Sequence, residues 1–315
     1  MVQFSKKTIK DSNAQIQKAK SITLLTHRKP DGDGISACTA LSLFLEKKDK
    51  KIETIYPTKA EFKFKRKPKN LLINKHKQKP DLLIILDTAN YERCYYPESF
   101  KNIPVINIDH HISNKIDGTL NFIDPDASST CEILFNLFKE WTNNSIDKKI
   151  AECLLFGILY DTQVFQTQAT TATTLEISAE LINLGADLYK LKTELISDKN
   201  PQIIKLWGKV LSEIKLSKSG KAAWVGITQK DLAKYKLDIS SLIGFNNFLS
   251  QISQVDLTLF FYETEDKQTK VSLRSKKTDV NKLAEKFGGG GHKNAAGILS
   301  DEPMNKLIKE ITKDL

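Results

Sequence analysis

Along this chain the apolar residues fall into two rhythms. Ser21-Ile-Thr-Leu-Leu-Thr26, Asp81-Leu-Leu-Ile-Ile-Leu86 and Pro104-Val-Ile-Asn-Ile-Asp109 are short, nearly continuous apolar runs. Strands covered on both faces of a parallel sheet read this way. Between them the spacing turns helical: an amphipathic helix over 1–20 with Ile9, Ala14, Ile16 and Ala19 inward, and a second helix over 35–48. Further strands are predicted at Lys51–Tyr56 and Leu120–Ile123, with helices over 129–141 and 147–159. From Thr171 to Leu216 the pattern stays helical, broken at Gly185 and Asn200-Pro201; strands return over 222–228, 255–263 and 269–274, and a helix follows over 280–286. This alternation predicts an α/β protein. A parallel-sheet N-terminal domain (1–190) would be joined through a linker (191–205) to a smaller α/β C-terminal domain (206–315).

Composition narrows the picture only a little. No apolar run is long enough to cross a bilayer and no signal-peptide pattern opens the chain, so a cytoplasmic protein is expected, with no membrane partner. The four cysteines form no C-x-x-C pair, in keeping with a reducing compartment. A net charge of +10 favours an anionic partner, though lysine-rich chains are often basic without one. The densest basic segment, 59–69, has two readings. It tracks phosphates with Phe62 and Phe64 as stacking surfaces, or it is a solvated loop and strand edge.

The polar residues at the ends of the predicted strands change the picture more. The first strand runs into His27-Arg-Lys-Pro-Asp31-Gly-Asp33-Gly34, the next ends at Asp87, and the third at Asp109-His110-His111. Ligands of open α/β sheets collect beyond such carboxyl ends. Two carboxylates two residues apart beside an imidazole crowd charge into a small volume, which a divalent cation would relieve. Asp87 alone reads equally well as a helix cap. Asp161 closes an otherwise apolar helical stretch, where an unpaired charge is costly. Four of the five histidines fall in polar motifs, and His76 is left as a surface residue. Carboxylates and imidazoles without thiolate suit two divalent cations, Mn2+ before Mg2+, Co2+ or Fe2+. Arg93, just beyond Asp87, is in reach of a phosphate.

Near the C-terminus, Gly288, Gly289, Gly290 and Gly291 precede His292. Such a run is either a flexible linker or a backbone whose N–H groups converge on an anion. Its position within a folded pattern, near Arg274-Ser275, favours the second.

Together these motifs resemble the DHH phosphoesterases that carry a DHH-associated C-terminal domain: His27 to Asp33, Asp87-Thr88, Asp109 to His111, Tyr160-Asp161-Thr162, then Gly288 to His292 and Ala295-Ala-Gly297. Within that group the chain is most similar to the NrnA-type nanoRNases and adenine-dinucleotide phosphodiesterases. The resemblance implies that His27 and Asp31 hold one cation, Asp33, His110 and Asp161 the other, and that Asp87 bridges. It implies that His111 contacts the scissile phosphate or protonates the leaving oxygen while Asp109 orients the site. Arg274, Ser275, the glycine run and His292 would hold a nucleotide, with reaction in the cleft between domains. The expected substrates are short RNA, pApA, cyclic di-AMP and 3′-phosphoadenosine 5′-phosphate; a homodimer is compatible with the group. Asn90 stands where an acid is frequent and Gln163 where glycine is frequent. The competing readings are a RecJ-like single-strand exonuclease, a pyrophosphatase, and a nucleotide- or RNA-binding module without catalysis.

Overall fold

The computed structural model describes residues 4–48, 50–60, 65–141, 146–196, 201–242, 244–313 and 315. The chain forms two compact units, Met1–Ser197 and Asp198–Leu315.

In the first unit the elements run α1 (Lys6–Lys18), β1 (Ser21–Leu25), α2 (Gly32–Glu46), β2 (Lys51–Tyr56), β3 (Leu71–Ile73), β4 (Leu82–Leu86), β5 (Val105–Asp109), β6 (Leu120–Ile123), α3 (Thr130–Trp141), α4 (Lys148–Asp161), α5 (Ala172–Asn183) and α6 (Leu188–Ile196). The six strands are all parallel, in the order β3-β2-β1-β4-β5-β6. The chain therefore winds outward from β1 in one direction, returns to the centre, and winds outward from β4 in the other. The crevice beyond the carboxyl ends of β1 and β4 is where such a sheet collects ligands. Every residue of β1, β4 and β5 is buried, which accounts for their unbroken apolar runs.

Helix α2 is buried along nearly its whole length and packs against α4. Phe44 of α2 stacks on Phe138 of α3 with ring centroids 4.1 Å apart. Helix α1 buries Ile16 and, just past its end, Ala19, whereas Ala14 is exposed and Ser12 takes an inward place. The Ser12 hydroxyl accepts the Trp141 indole N–H at 2.8 Å, so a polar residue replaces the expected small apolar one.

The second unit contains α7 (Pro201–Ser212), β7 (Lys215–Leu216), β8 (Ala222–Ile227), α8 (Gln229–Lys234), α9 (Phe245–Leu249), β9 (Leu257–Glu263), β10 (Thr269–Ser275), α10 (Val280–Glu285), β11 (Gly290–His292), β12 (Ala295–Ser300) and α11 (Met304–Thr312). Its strands form a mixed sheet, β11-β12-β10-β9-β8-β7, in which β8 and β9 are the parallel pair. Alternation along β9 serves both faces. Leu257, Leu259 and Phe261 join α10 and α11, while Phe260 joins Leu206 and Val210 of α7 and Phe245 and Leu249 of α9.

Among the described residues no helix is long and apolar enough to cross a membrane. Phe62 and Phe64 of the basic segment lie outside the described residues. Arg66 of that segment faces protein: its guanidinium donates to Glu152 Oε2 of α4 at 2.8 and 3.1 Å and stands 3.6 Å from Glu194 of α6.

Candidate metal centre

Three loops leaving the carboxyl ends of β1, β4 and β5 meet the end of α4. Asp31 is the N-cap of α2 and accepts from the N–H groups of Asp33 and Gly34 at 3.1 and 3.2 Å. This ordinary capping role fixes the turn and aims His27 at Asp87, Nε2 to Oδ2 3.6 Å, and at Asp31 at 3.9 Å. His27 Nδ1 faces the Arg28 carbonyl at 2.8 Å. A carbonyl only accepts, so Nδ1 carries the proton and Nε2 is turned to the acids. His110 repeats the device. Its Nδ1 faces Ala127 O at 3.3 Å, and its Nε2 lies 3.2 Å from Asp161 and 3.8 Å from Asp87.

Asp87 sits at the centre, buried, with φ of 53°. A non-glycine residue in the left-handed region costs on the order of 1 kcal/mol or more, and such strain concentrates at functional positions. Asp33, also buried, accepts from the N–H groups of Thr130 and Cys131 at the start of α3, at 2.7 and 3.2 Å. One ligand atom from each of His27, Asp31 and Asp87 falls within 4.8 Å of the others. The same holds for Asp33, His110 and Asp161, and for Asp87, His110 and His111. Helix α4 approaches closely enough that a Cβ on Gly157 would collide with Cys131 Sγ and Asp33 Oδ1.

The protonation balance reflects crowding. Burial alone would lower the His27 pKa, but hydrogen bonds and charge from Asp31 and Asp87 outweigh it and raise it to about 10. His110 is likewise raised, by Asp161 against its burial. Burial, then the charges of neighbouring acids, push Asp33 well above the carboxylate range, and burial lifts Asp161 to about 6. Among the described residues no Lys or Arg pairs with Asp31, Asp33, Asp87 or Asp161. The donor set therefore fits divalent cations, which would take the place of these shared protons. Two further observations agree. The buried Thr26 Oγ1 has no hydrogen-bond partner among the described residues. A Cβ on Gly34 would fill the space between Thr26 Oγ1, Asp87 Oδ2 and His27 Nε2, at 2.8, 3.0 and 3.4 Å.

His111 differs from its neighbour. Its Nδ1 donates to Asp109 Oδ1 at 2.7 Å, and Asp109 also accepts from the His110 and His111 N–H groups and from Asn114 Nδ2 at 2.6 Å. These donors outweigh burial and hold the Asp109 pKa low, and Asp109 in turn raises that of His111 against its burial. Asn114 gave no chemical signal in the sequence. Its partners, Asp109 and the Thr88 carbonyl at 3.0 Å, are visible only once the strands are paired. Thr130, whose hydroxyl donates to Asp87 at 3.4 Å, was missed for the same reason. His76 packs within a cluster of Tyr95 and Phe100, its Nδ1 2.8 Å from the Tyr95 hydroxyl, instead of standing free on the surface.

In the second unit Arg274 is the penultimate residue of β10, where Nε donates to Asn247 Oδ1 at 3.3 Å and Nη1 to Leu273 O at 3.0 Å. Burial lowers its pKa, and among the described residues no carboxylate pairs with it. Ser275 Oγ donates to Asp256 at 3.2 Å. The glycine run is structured: the N–H groups of Gly288 and Gly289 donate to α10 carbonyls at 3.1 and 2.9 Å, and Gly290–His292 is an edge strand on β12. A Cβ on Gly289 or Gly291 would collide with β12 backbone. Close packing within the hairpin thus accounts for those two glycines, and the expected converging N–H groups are partly committed to the fold. The His292 side chain lies outside what the structure describes.

The strand order and the converging acids and imidazoles define a metal-dependent phosphoesterase, and the chain belongs to the DHH family. Residues 21–158 match the DHH family N-terminal domain and residues 235–315 the DHHA1 domain. The bifunctional oligoribonuclease and PAP phosphatase NrnA of Bacillus subtilis is 34% identical over 237 residues, 73% of this chain and 74% of that protein. The crystal structure of an exopolyphosphatase-related protein from Bacteroides fragilis, 27% identical, superposes with a TM-score of 0.89 over 98% of this chain and 96% of that one. At 14% identity and a TM-score of 0.56, the exonuclease RecJ bound to manganese shares the fold, covering 99% of this chain and 95% of that one.

Proposed function

We propose that this phosphoesterase cleaves phosphodiester bonds in short oligonucleotides and adenine dinucleotides. Its substrates would be nanoRNA and pApA, extending to cyclic di-AMP and to the 3′-phosphate of 3′-phosphoadenosine 5′-phosphate. The observation that carries this reading is the convergence of His27, Asp31, Asp33, His110 and Asp161 around the strained, buried Asp87. The likeness to the NrnA protein supports the substrate class.

His27 and Asp31 would hold one divalent cation and Asp33, His110 and Asp161 a second, with Asp87 reaching both; Mn2+ suits this donor set best. Bound there, the cations supply Lewis-acid polarisation of the phosphoryl group and offset the charge that builds on its oxygens. The protein's own groups do the rest. The carbonyls of Arg28 and Ala127 hold His27 and His110 in the tautomer that presents Nε2. Asp109, itself held by Asn114, keeps the His111 proton at Nδ1 and leaves Nε2 to face the phosphate or leaving oxygen. In the second unit Arg274, Ser275 and His292 would bind the nucleotide. Arg274 is the clearest of these, a half-buried cation with no acid paired to it among the described residues.

Metal-stripped protein assayed with and without Mn2+ on pApA, short RNA, cyclic di-AMP and 3′-phosphoadenosine 5′-phosphate tests this. Mn2+-dependent release of mononucleotide is expected. Binding without turnover on all four would leave a nucleotide-binding module; preference for long single strands would point to an exonuclease, and for pyrophosphate to a pyrophosphatase.

A further inference from the structure

Beside the acidic cluster stands a feature of opposite sign that the candidate ligands do not explain. An isolated antiparallel bridge joins His27 to Cys94, and Arg28 N–H donates to Arg93 O at 2.6 Å. The bridge sets Arg28 across from Arg93, and Arg28 directly follows His27. The 3-10 turn Tyr91–Arg93 is capped by Asn90, whose Oδ1 accepts the Arg93 N–H at 3.1 Å. Arg28 Nη2 donates to Glu92 O at 2.9 Å, which fixes one corner of its guanidinium. Both arginines are exposed, and among the described residues neither pairs with a carboxylate. Asp31 is near in sequence, yet its carboxylate faces the α2 amides and His27.

Two cationic side chains rooted on facing backbones, neither paired with a carboxylate among the described residues, favour an anion beside them. Each offers five donors in a planar fork that matches phosphate oxygens. We infer that Arg28 and Arg93 clamp a second phosphate of the substrate, the one on the nucleotide joined to the reacting phosphate. This rests on the phosphodiesterase reading and narrows it: the favoured substrates carry at least two phosphates. Asn90, where an acid is frequent in the group, serves this arrangement by capping the turn without adding a negative charge beside the clamp.

The test compares two probes on the full Mn2+-loaded chain, pApA and bis(p-nitrophenyl) phosphate, which has one phosphate. In the Arg28→Ala/Arg93→Ala variant the kcat/KM ratio of pApA to the single-phosphate probe falls roughly 10- to 100-fold, mainly through KM. Arg28→Lys/Arg93→Lys restores part of it, since charge returns without the fork. An unchanged ratio overturns the clamp, and so does a parallel loss on both probes. Wild-type protein inactive on both would instead overturn the phosphodiesterase reading.

Discussion

Each unit places aspartate at the ends of its strands and helices, and the two units treat its charge in opposite ways. In the second unit Asp256 accepts from the Ser275 hydroxyl, the N–H groups of Lys276, Lys277 and Thr278, and the Thr278 hydroxyl. Burial works against the anion, but these donors hold its pKa below the usual carboxylate range. In the first unit Asp33, Asp87 and Asp161 face one another and two imidazoles, and burial, with the charges of the neighbouring acids, raises Asp33 and Asp161. One acid is complete within the fold and builds a loop; the cluster is incomplete and asks for a ligand. The difference separates a structural aspartate from a functional one better than either motif does.

The contrast can be broken hardest at Asp87. Asparagine tolerates its left-handed backbone, so Asp87→Asn removes charge with little added strain. Turnover should fall about 10³-fold or more, as expected for losing several kcal/mol of cation-assisted stabilisation. The rise in melting temperature on adding Mn2+ should shrink, while the metal-stripped variant melts no lower than wild type because crowding is relieved. Near-normal activity would end the bridging assignment.

At Asp256 the opposite pattern is expected. Asp256→Asn leaves an amide N–H₂ among donors and should destabilise the protein by about 1–3 kcal/mol whether or not metal is present, read by denaturant unfolding. The sign with pH follows from the lowered pKa. Its stabilisation is present above the ordinary carboxylate value, near ~3.9, and is lost as pH falls through the lower folded value. The variant should lose that part of the acid sensitivity; an unchanged acid profile would remove Asp256 from its cause.

The smallest effect concerns the turn after Asp161, where Gln163, Val164 and Phe165 all have positive φ. Glycine at 163 would relieve a left-handed residue at some cost in chain entropy. Gln163→Gly should therefore raise stability by up to about 1 kcal/mol in thermal melts. A loss instead would mean that the glutamine side chain makes a contact worth more than the strain.

The sheet of the first unit was largely legible in the sequence, because strands buried on both faces leave unbroken apolar runs. Three of its six strands, β1, β4 and β5, follow that signal; β2 and β6 were read from shorter apolar stretches, and β3, three residues on the sheet edge, was not read at all. Helices α8 and α9 were expected only as unplaced helices between strands, because five or six residues show no clear period; α11 was not read although its spacing is amphipathic. The polar residues now gathered in the candidate centre were readable as types at strand ends. Their supports were not: Asn114, Thr130 and the carbonyls of Arg28 and Ala127 act through pairings that only the folded chain creates. The glycine run misled in the other direction, since a backbone that must pass close to another strand and one that must approach a ligand ask for the same residue.

The winding order has a consequence for how the centre comes into being. His27 leaves β1 and Asp87 leaves β4; these strands are neighbours in the sheet, yet β2 and β3 are laid down between them in the chain. No local segment can gather the donors in advance. A nascent chain that has emerged only as far as β3 holds half a sheet and only His27, Asp31 and Asp33 of the candidate donors, so the cluster is completed where the last-formed half docks onto the first.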